Sequence, residues 1–399
     1  MTLPFPRTLI SALLLGAFQF SASAAAGLPA AFAAASATTT AAEREAAPAD
    51  GWAGQQGGTR GGADAEAANV FTVANRAELL AALARAGSAP KIVRVSGLID
   101  MSEGRPFTSS ADQAARGAIK LPNNTTLIGS AAKAGFVNAS VSVSEATQII
   151  IRNLQFQNPC DVGPVWDPKD GPTGEWNSLF DGITISASTH VWVDHNSFTD
   201  APVTDDLAAV ENGRPKQCHD GAVDIGKGSD FVTVSYNRFD LHEKNMLIGS
   251  GDRATTDEGK LSVTLSHNVF DRIAARSPRV RFGRVHTFNN YHVGDRKDPI
   301  YPHVYSIGTG KQSKIISTSN VFEIAGARGC GSVVHNPGTS PAGAFVDNGS
   351  LLNGAALGAC EASPDVGWTV PYSFTPLPAA DVKAHALANA GAGHLARGQ

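Results

Sequence analysis

Long apolar runs are missing from this chain: the longest, TLISALLLGAFQF, has thirteen residues. A helix that crosses a bilayer needs roughly 20, so no membrane-spanning helix is expected. An excess of positive charge is missing too. The formal net charge is −4 and the isoelectric point near 6.3, which argues against a general nucleic-acid binder with a basic face. Cysteine is scarce, at four in 399 residues, and no two are close enough in sequence to form a zinc knuckle. Hairpin signals such as Asn-Gly are sparse, which disfavours a sandwich whose strands turn back every roughly 8 to 12 residues. What is abundant is apolar surface. At 42% hydrophobic residues the chain has ample material for a core.

The N-terminus has the layout of an export signal. Arg7 precedes the apolar run, and Ala22-Ser23-Ala24 offers a small-residue cleavage site, so residues 1–24 are expected to be a signal peptide. Residues 25–50 are alanine-rich without apolar periodicity and are expected to be a low-complexity linker, leaving 51–399 as one domain. Export to an extracellular, oxidising compartment makes the cysteines candidates for two disulfides among three possible pairings. Cys160 with Cys218 and Cys330 with Cys360 are favoured because they close the shorter, separate loops.

One amphipathic helix stands out. In NRAELLAALARAG, Asn75 can cap the start, Glu78 sits where a side chain returns the cap, and Gly87 can end it. Beyond it come short β-branched runs, among them KIVRVSG, TQIIIRNLQF, DFVTVSYNRF and KLSVTLSHNVF, broken by Gly, Asn, Asp and Ser, with almost no second helix for 230 residues. A small unit, Asn then any residue then an aromatic, recurs at Asn196, Asn237, Asn268, Asn289 and Asn320, at spacings of 41, 31, 21 and 31. A coil of parallel β-helix takes roughly 20 to 25 residues, so the longer intervals read as the same coil with loops inserted. Stacked coils would align the asparagines in a column, each amide donating to one neighbouring coil and accepting from the other. The fold class expected is all-β, a parallel β-helix with a short N-terminal capping helix.

Six blocks, VWVDHNSF, HDGAVDIGKGSDFVTVSYNRF, HEKNMLIGSGD, GKLSVTLSHNVFDR, RSPRVRFGRVHTFNNYH and YSIGTGKQSKI, occur in this order. In order and spacing they resemble the pectate lyases of polysaccharide lyase family 1, and the likeness runs from GWAGQQGGT at residue 51 to NAGAGHL near the end. The resemblance implies a right-handed parallel β-helix that cleaves polygalacturonate by β-elimination with Ca²⁺ as cofactor. It implies Asp181, Asp220 and Asp224 as calcium ligands, Lys244 and Arg281 as substrate-binding residues, and Arg276 as the base. His242 and Glu243, beside Lys244, are expected to support their loop. A monomer is expected, with no nucleic-acid or membrane partner.

The residue types suit that chemistry. Elimination removes a weakly acidic proton at C5, next to an ionised carboxylate, so cations must offset the developing charge. Carboxylates suit a hard cation. Their spacing raises a difficulty, since residues four apart in a straight strand lie about 13 Å apart; the chain must bend between Asp220 and Asp224, and Gly221 could permit it. RSPRVRFG concentrates arginine, and with Val280 and Phe282 turned inward, Arg279 and Arg281 face out, while Arg276 falls in the preceding turn. A free guanidinium pKa of roughly 12.5 to 13.8 leaves almost none deprotonated near neutrality, so activity should rise into alkaline pH. Arg272, Arg279 and Arg284 are expected to pair with acidic residues of neighbouring coils, and Asp194 and His195 to be structural. A pectin lyase would share the fold without the calcium carboxylates, a polygalacturonase would give saturated products, and a pectin-binding protein would turn nothing over.

Overall fold

The computed structural model describes residues 38–395 apart from 86, 171, 172 and 362; the expected signal peptide and the first part of the alanine-rich tract lie outside the described residues. The chain winds as a right-handed parallel β-helix whose wall is three mostly parallel sheets of ten, eight and ten strands. Sheet I runs from Val70–Val73 to Ala344–Asn348, sheet II from Ala118–Lys120 to Val334–His335, and sheet III from Leu98–Asp100 to Leu351–Leu352, extended by a short antiparallel strand Ala355–Ala356. One coil shows the cycle: Val223–Gly226 in sheet II, Asp230–Ser235 in sheet I, Arg238–Lys244 in sheet III. The β-branched runs suit this wall, because alternate residues point into the coil and stack on their counterparts one coil away. Val191, Val232, Val263 and Val285 form one such row, all fully buried.

The asparagine column is present, with one register correction. Asn237 Nδ2 donates to Asn268 Oδ1 at 3.1 Å and Asn268 Nδ2 to Asn290 Oδ1 at 2.9 Å, and each amide also donates to a carbonyl of the preceding coil. The fourth rung is therefore Asn290. Asn289, expected there, lies one residue earlier in a left-handed turn (φ 53°) and donates to the carbonyls of Ser319 and Leu377. The inward ring of that coil shifts likewise from Tyr291 to His292, which stacks 4.6 Å from both Phe270 and Phe322.

The expected helix spans Arg76–Arg85, with Asn75 Oδ1 accepting from Glu78 N and the Glu78 carboxylate accepting from Ala74 N. Three further helices, Ala41–Arg44, Ser110–Gly117 and Ala379–Asn389, were not expected. Ala379–Asn389 lays Val382 and Ala386 over Val269, Tyr291 and Val321 of sheet III. From Thr38 on, the tract expected to be a linker is instead bound to sheet I, where Glu43 pairs with Arg94 at 2.5 Å and Glu45 with Arg152 at 2.7 Å, and just after it the backbone of Trp52 and Ala53 donates to Thr264 and Thr233. The tract, which includes the short helix Ala41–Arg44, packs Ala47 against Ile150 and Trp192 of the sheet. The outer faces of sheets I and III are thus covered, and sheet II borders a groove. Both expected disulfides are formed, Cys160–Cys218 and Cys330–Cys360.

Candidate functional site

The turn from sheet III into sheet II repeats in successive coils, and it carries the candidate residues. Asp181 and Asp220 stand just before Ile183–Ser186 and Val223–Gly226; Lys244 ends Arg238–Lys244, ahead of Leu247–Ile248; Arg276 follows Val269–Ala275, ahead of Arg279–Val280. Parallel register stacks them, with Lys244 opposite Ala275. Asp224 lies inside its strand, beside Thr184.

Gly221 brings Asp224 together with Asp181 of the preceding coil. Its φ is not in the left-handed region, so what it supplies is room: a Cβ there would stand 2.3 Å from Asp224 Oδ1 and 3.0 Å from Asp181 Oδ1. The two carboxylates therefore close over Gly221 from adjacent coils, across a bend that ends where the strand begins at Val223. Each is anchored on one side. Asp181 accepts from Gly221 N at 3.0 Å and Thr184 Oγ1 at 2.6 Å, and Asp224 from Leu247 N at 2.8 Å. Burial, then the charge of Asp220, pushes Asp181 up to about 7. Burial and then Asp181 and Asp220 raise Asp224 well above the usual carboxylate range. Burial also raises Asp220, against the pull of Lys244 and Arg276, which places both cations within electrostatic reach of the aspartates. Three crowded, desolvated carboxylates that disfavour one another's ionisation are a donor set suited to a hard divalent cation.

A groove of about 220 Å³ leads away along sheet II, lined by Asp181, Thr184, Asp224, Lys227, Leu247 and Ser250 among others. Lys244 Nζ is 3.4 Å from Gln217 Oε1 and 3.7 Å from Glu243. The Arg276 guanidinium makes no hydrogen bond or ion pair with another described residue, and its backbone is left-handed (φ 64°), an unusual state for a non-glycine. Arg281 is held by Asp252 at 2.6 Å and the Gly249 carbonyl at 3.3 Å. Arg279 and Arg281 do face out beside buried Val280, whereas Phe282, though buried, lies past the strand in a left-handed turn. The acidic pairing expected for the other arginines holds for Arg272, with Asp240 and Asp271. Arg284 instead bonds Ser262 and lies over Trp52, and Arg279 has no partner among the described residues; sequence spacing cannot show which neighbour a coil brings alongside. Asp194 sits deep in sheet I with Arg152, His195 and Ser235, far from water, as a structural residue should.

Sequence reasoning passed over a buried polar group behind this turn. Asp200 accepts from His242 Nδ1, Asn158 Nδ2 and Tyr301 OH, and His219 is 3.8 Å away. Only the pairing of His219 with Asp220 and of His242 with Lys244 in sequence could have hinted at it.

A family model described as pectate lyase matches residues 21–395. Pectate lyase D of Dickeya chrysanthemi is 42% identical over 333 residues, 82% of this chain and 83% of its own. The pectate lyase of Bacillus subtilis (strain 168) is 36% identical over 87% of this chain and 92% of its own. A solved pectate lyase bound to a hexasaccharide superimposes with a TM-score of 0.83 at 35% identity, covering 89% of this chain and all of that one. Family model, sequence identity and fold agree over most of the chain's length: the chain belongs to the pectate lyases and is a polysaccharide lyase.

Proposed function

We propose that this chain is a secreted, monomeric, calcium-dependent pectate lyase that cleaves (1,4)-α-D-galacturonan by β-elimination. The observation that carries the reading is that Asp181 and Asp224 close over Gly221, next to Asp220, with Lys244 and Arg276 within electrostatic reach of Asp220. Asp181, Asp220 and Asp224 would hold Ca²⁺, which when bound neutralises substrate carboxylate and stabilises charge developing beside C5. Lys244 and Arg281 receive substrate carboxylates along the groove, Arg281 as the bidentate partner that its planar guanidinium favours. Arg276, in its neutral form, takes the C5 proton. The C5–H electron pair becomes the C4–C5 double bond, the C4–O4 bond breaks, and O4 leaves with its electrons and is protonated from solvent. Arg276 is left as guanidinium and returns its proton to water. The Arg276 guanidine makes no hydrogen bond or ion pair with another described residue, which leaves it open to a substrate. The leader at residues 1–24 and the two disulfides support export.

The test is ultraviolet absorbance of unsaturated ends released from polygalacturonate by the purified mature chain. Release in calcium that stops with a chelator is expected. Chelator-insensitive release of saturated sugars would make the chain a hydrolase, release only from methylated polymer a pectin lyase, and no release a binding protein.

A further inference from the structure

We propose that Asp200 is a positioning residue for this reaction: one buried carboxylate joins the three segments that carry Asp220, Lys244 and Arg276. The inference rests on the lyase reading above. Asp200 is fully buried at the end of the strand Ser197–Thr199. Its Oδ1 accepts from His242 Nδ1 at 2.7 Å and Asn158 Nδ2 at 2.8 Å, and its Oδ2 from Tyr301 OH at 2.9 Å. His219 Nδ1, bonded to the Pro159 carbonyl at 3.1 Å, is 3.8 Å from the same carboxylate, an electrostatic contact and not a hydrogen bond.

Each partner leads to a different part of the site. His242 is two residues before Lys244 on one strand, so its ring is on the same face and fixes the strand end from which the lysine projects. His219 precedes Asp220, and its other nitrogen bonds the Val203 carbonyl at 2.7 Å. Tyr301 begins the strap in which Val304 N and Tyr305 N both bond the Ala274 carbonyl, two residues before Arg276. Tyr301 OH also accepts from Asp205 N at 3.1 Å. A single buried carboxylate therefore stands between a calcium-ligand turn, the lysine strand and the arginine turn, bonded to His242 and Tyr301 and 3.8 Å from His219. A buried ionic group adds little net stability once its desolvation is counted, so a role in geometry fits this placement.

The test uses Asp200→Asn, which keeps shape but loses the charge, Tyr301→Phe, which loses one hydroxyl, and the double variant, assayed on polygalacturonate in saturating calcium at 25 °C with melting curves as the fold control. Expected are a kcat about tenfold lower for Asp200→Asn and about threefold lower for Tyr301→Phe, KM within twofold of the parent, and a double variant no worse than Asp200→Asn alone. Folded variants with kcat within twofold of the parent, or a double variant whose loss is the product of the two, would overturn the role. Should Asp200→Asn not fold, an unchanged kcat in Tyr301→Phe overturns it alone. An unmodified chain that releases no unsaturated ends would overturn the lyase reading first, and the positioning role with it.

Discussion

At the scale of single residues, the site is built by placing side chains where their ordinary chemistry is uncomfortable. Asp181 and Asp224 face each other across a glycine that has no Cβ to separate them, and Arg276 occupies a backbone state that a turn imposes and a side chain resists. The residue types and order were legible in the sequence, because HDGAVDI and RSPRVRFG resemble known blocks. The approach of Asp224 to Asp181 was not legible: it lies between coils, and the turn at Gly221 is held by Asn245 O of the next coil, which accepts from Ala222 N and Val223 N. Arg276→Lys tests the base directly. A lysine carries charge but cannot place a planar guanidine at C5, so kcat should fall by about 100-fold or more, the scale of a lost general base, at every pH from 7 to 10 while KM stays within about threefold. Near-parent rates at high pH would assign the proton transfer elsewhere.

At the scale of the element, the unit is one coil, and its register is set by buried amide and ring columns rather than by local propensity. The repeat was readable as a period, yet the doublet Asn289-Asn290 offered two registers and the sequence could not choose; the structure chooses Asn290 because only that amide reaches Asn268 and Asn320 at once. The same slip places His292 in a column otherwise made of Phe156, Phe198, Phe239, Phe270 and Phe322. Burial, then the nearby charge of His303, lowers His292 to about 3 from its ordinary 6.5. Its protonation is therefore confined to the unfolded chain, so His292 contributes stability above pH 6.5 that is lost as pH falls from there toward 3. Its Nε2 is buried without a partner. His292→Phe should complete the column at little cost at pH 8 and raise the melting temperature at pH 5 by several degrees, read by scanning fluorimetry at both pH values. A fall of the same size at both would mean that the imidazole makes a structural hydrogen bond.

At the scale of the whole molecule, two opposed sets of ionisable groups act on one scaffold. His267 and His286, each lowered by burial to about 3, and His303, lowered by burial to about 4, behave as His292 does and make the fold weaker in acid. The site works the other way. Asp181, raised by burial to about 7, is still protonated in the folded chain where the unfolded chain has already ionised it, so stability falls as pH rises from about 3.8 to about 7; Asp220 and Asp224 shift in the same direction. A cation that binds the three carboxylates cancels their repulsion, and it competes with protons for them. Saturating calcium should therefore raise the melting temperature more at pH 8 than at pH 5, by about a factor of two, and Asp224→Asn should remove most of the difference. Equal calcium shifts at both pH values, or a shift that survives in Asp224→Asn, would show that the ion stabilises the chain somewhere other than this turn.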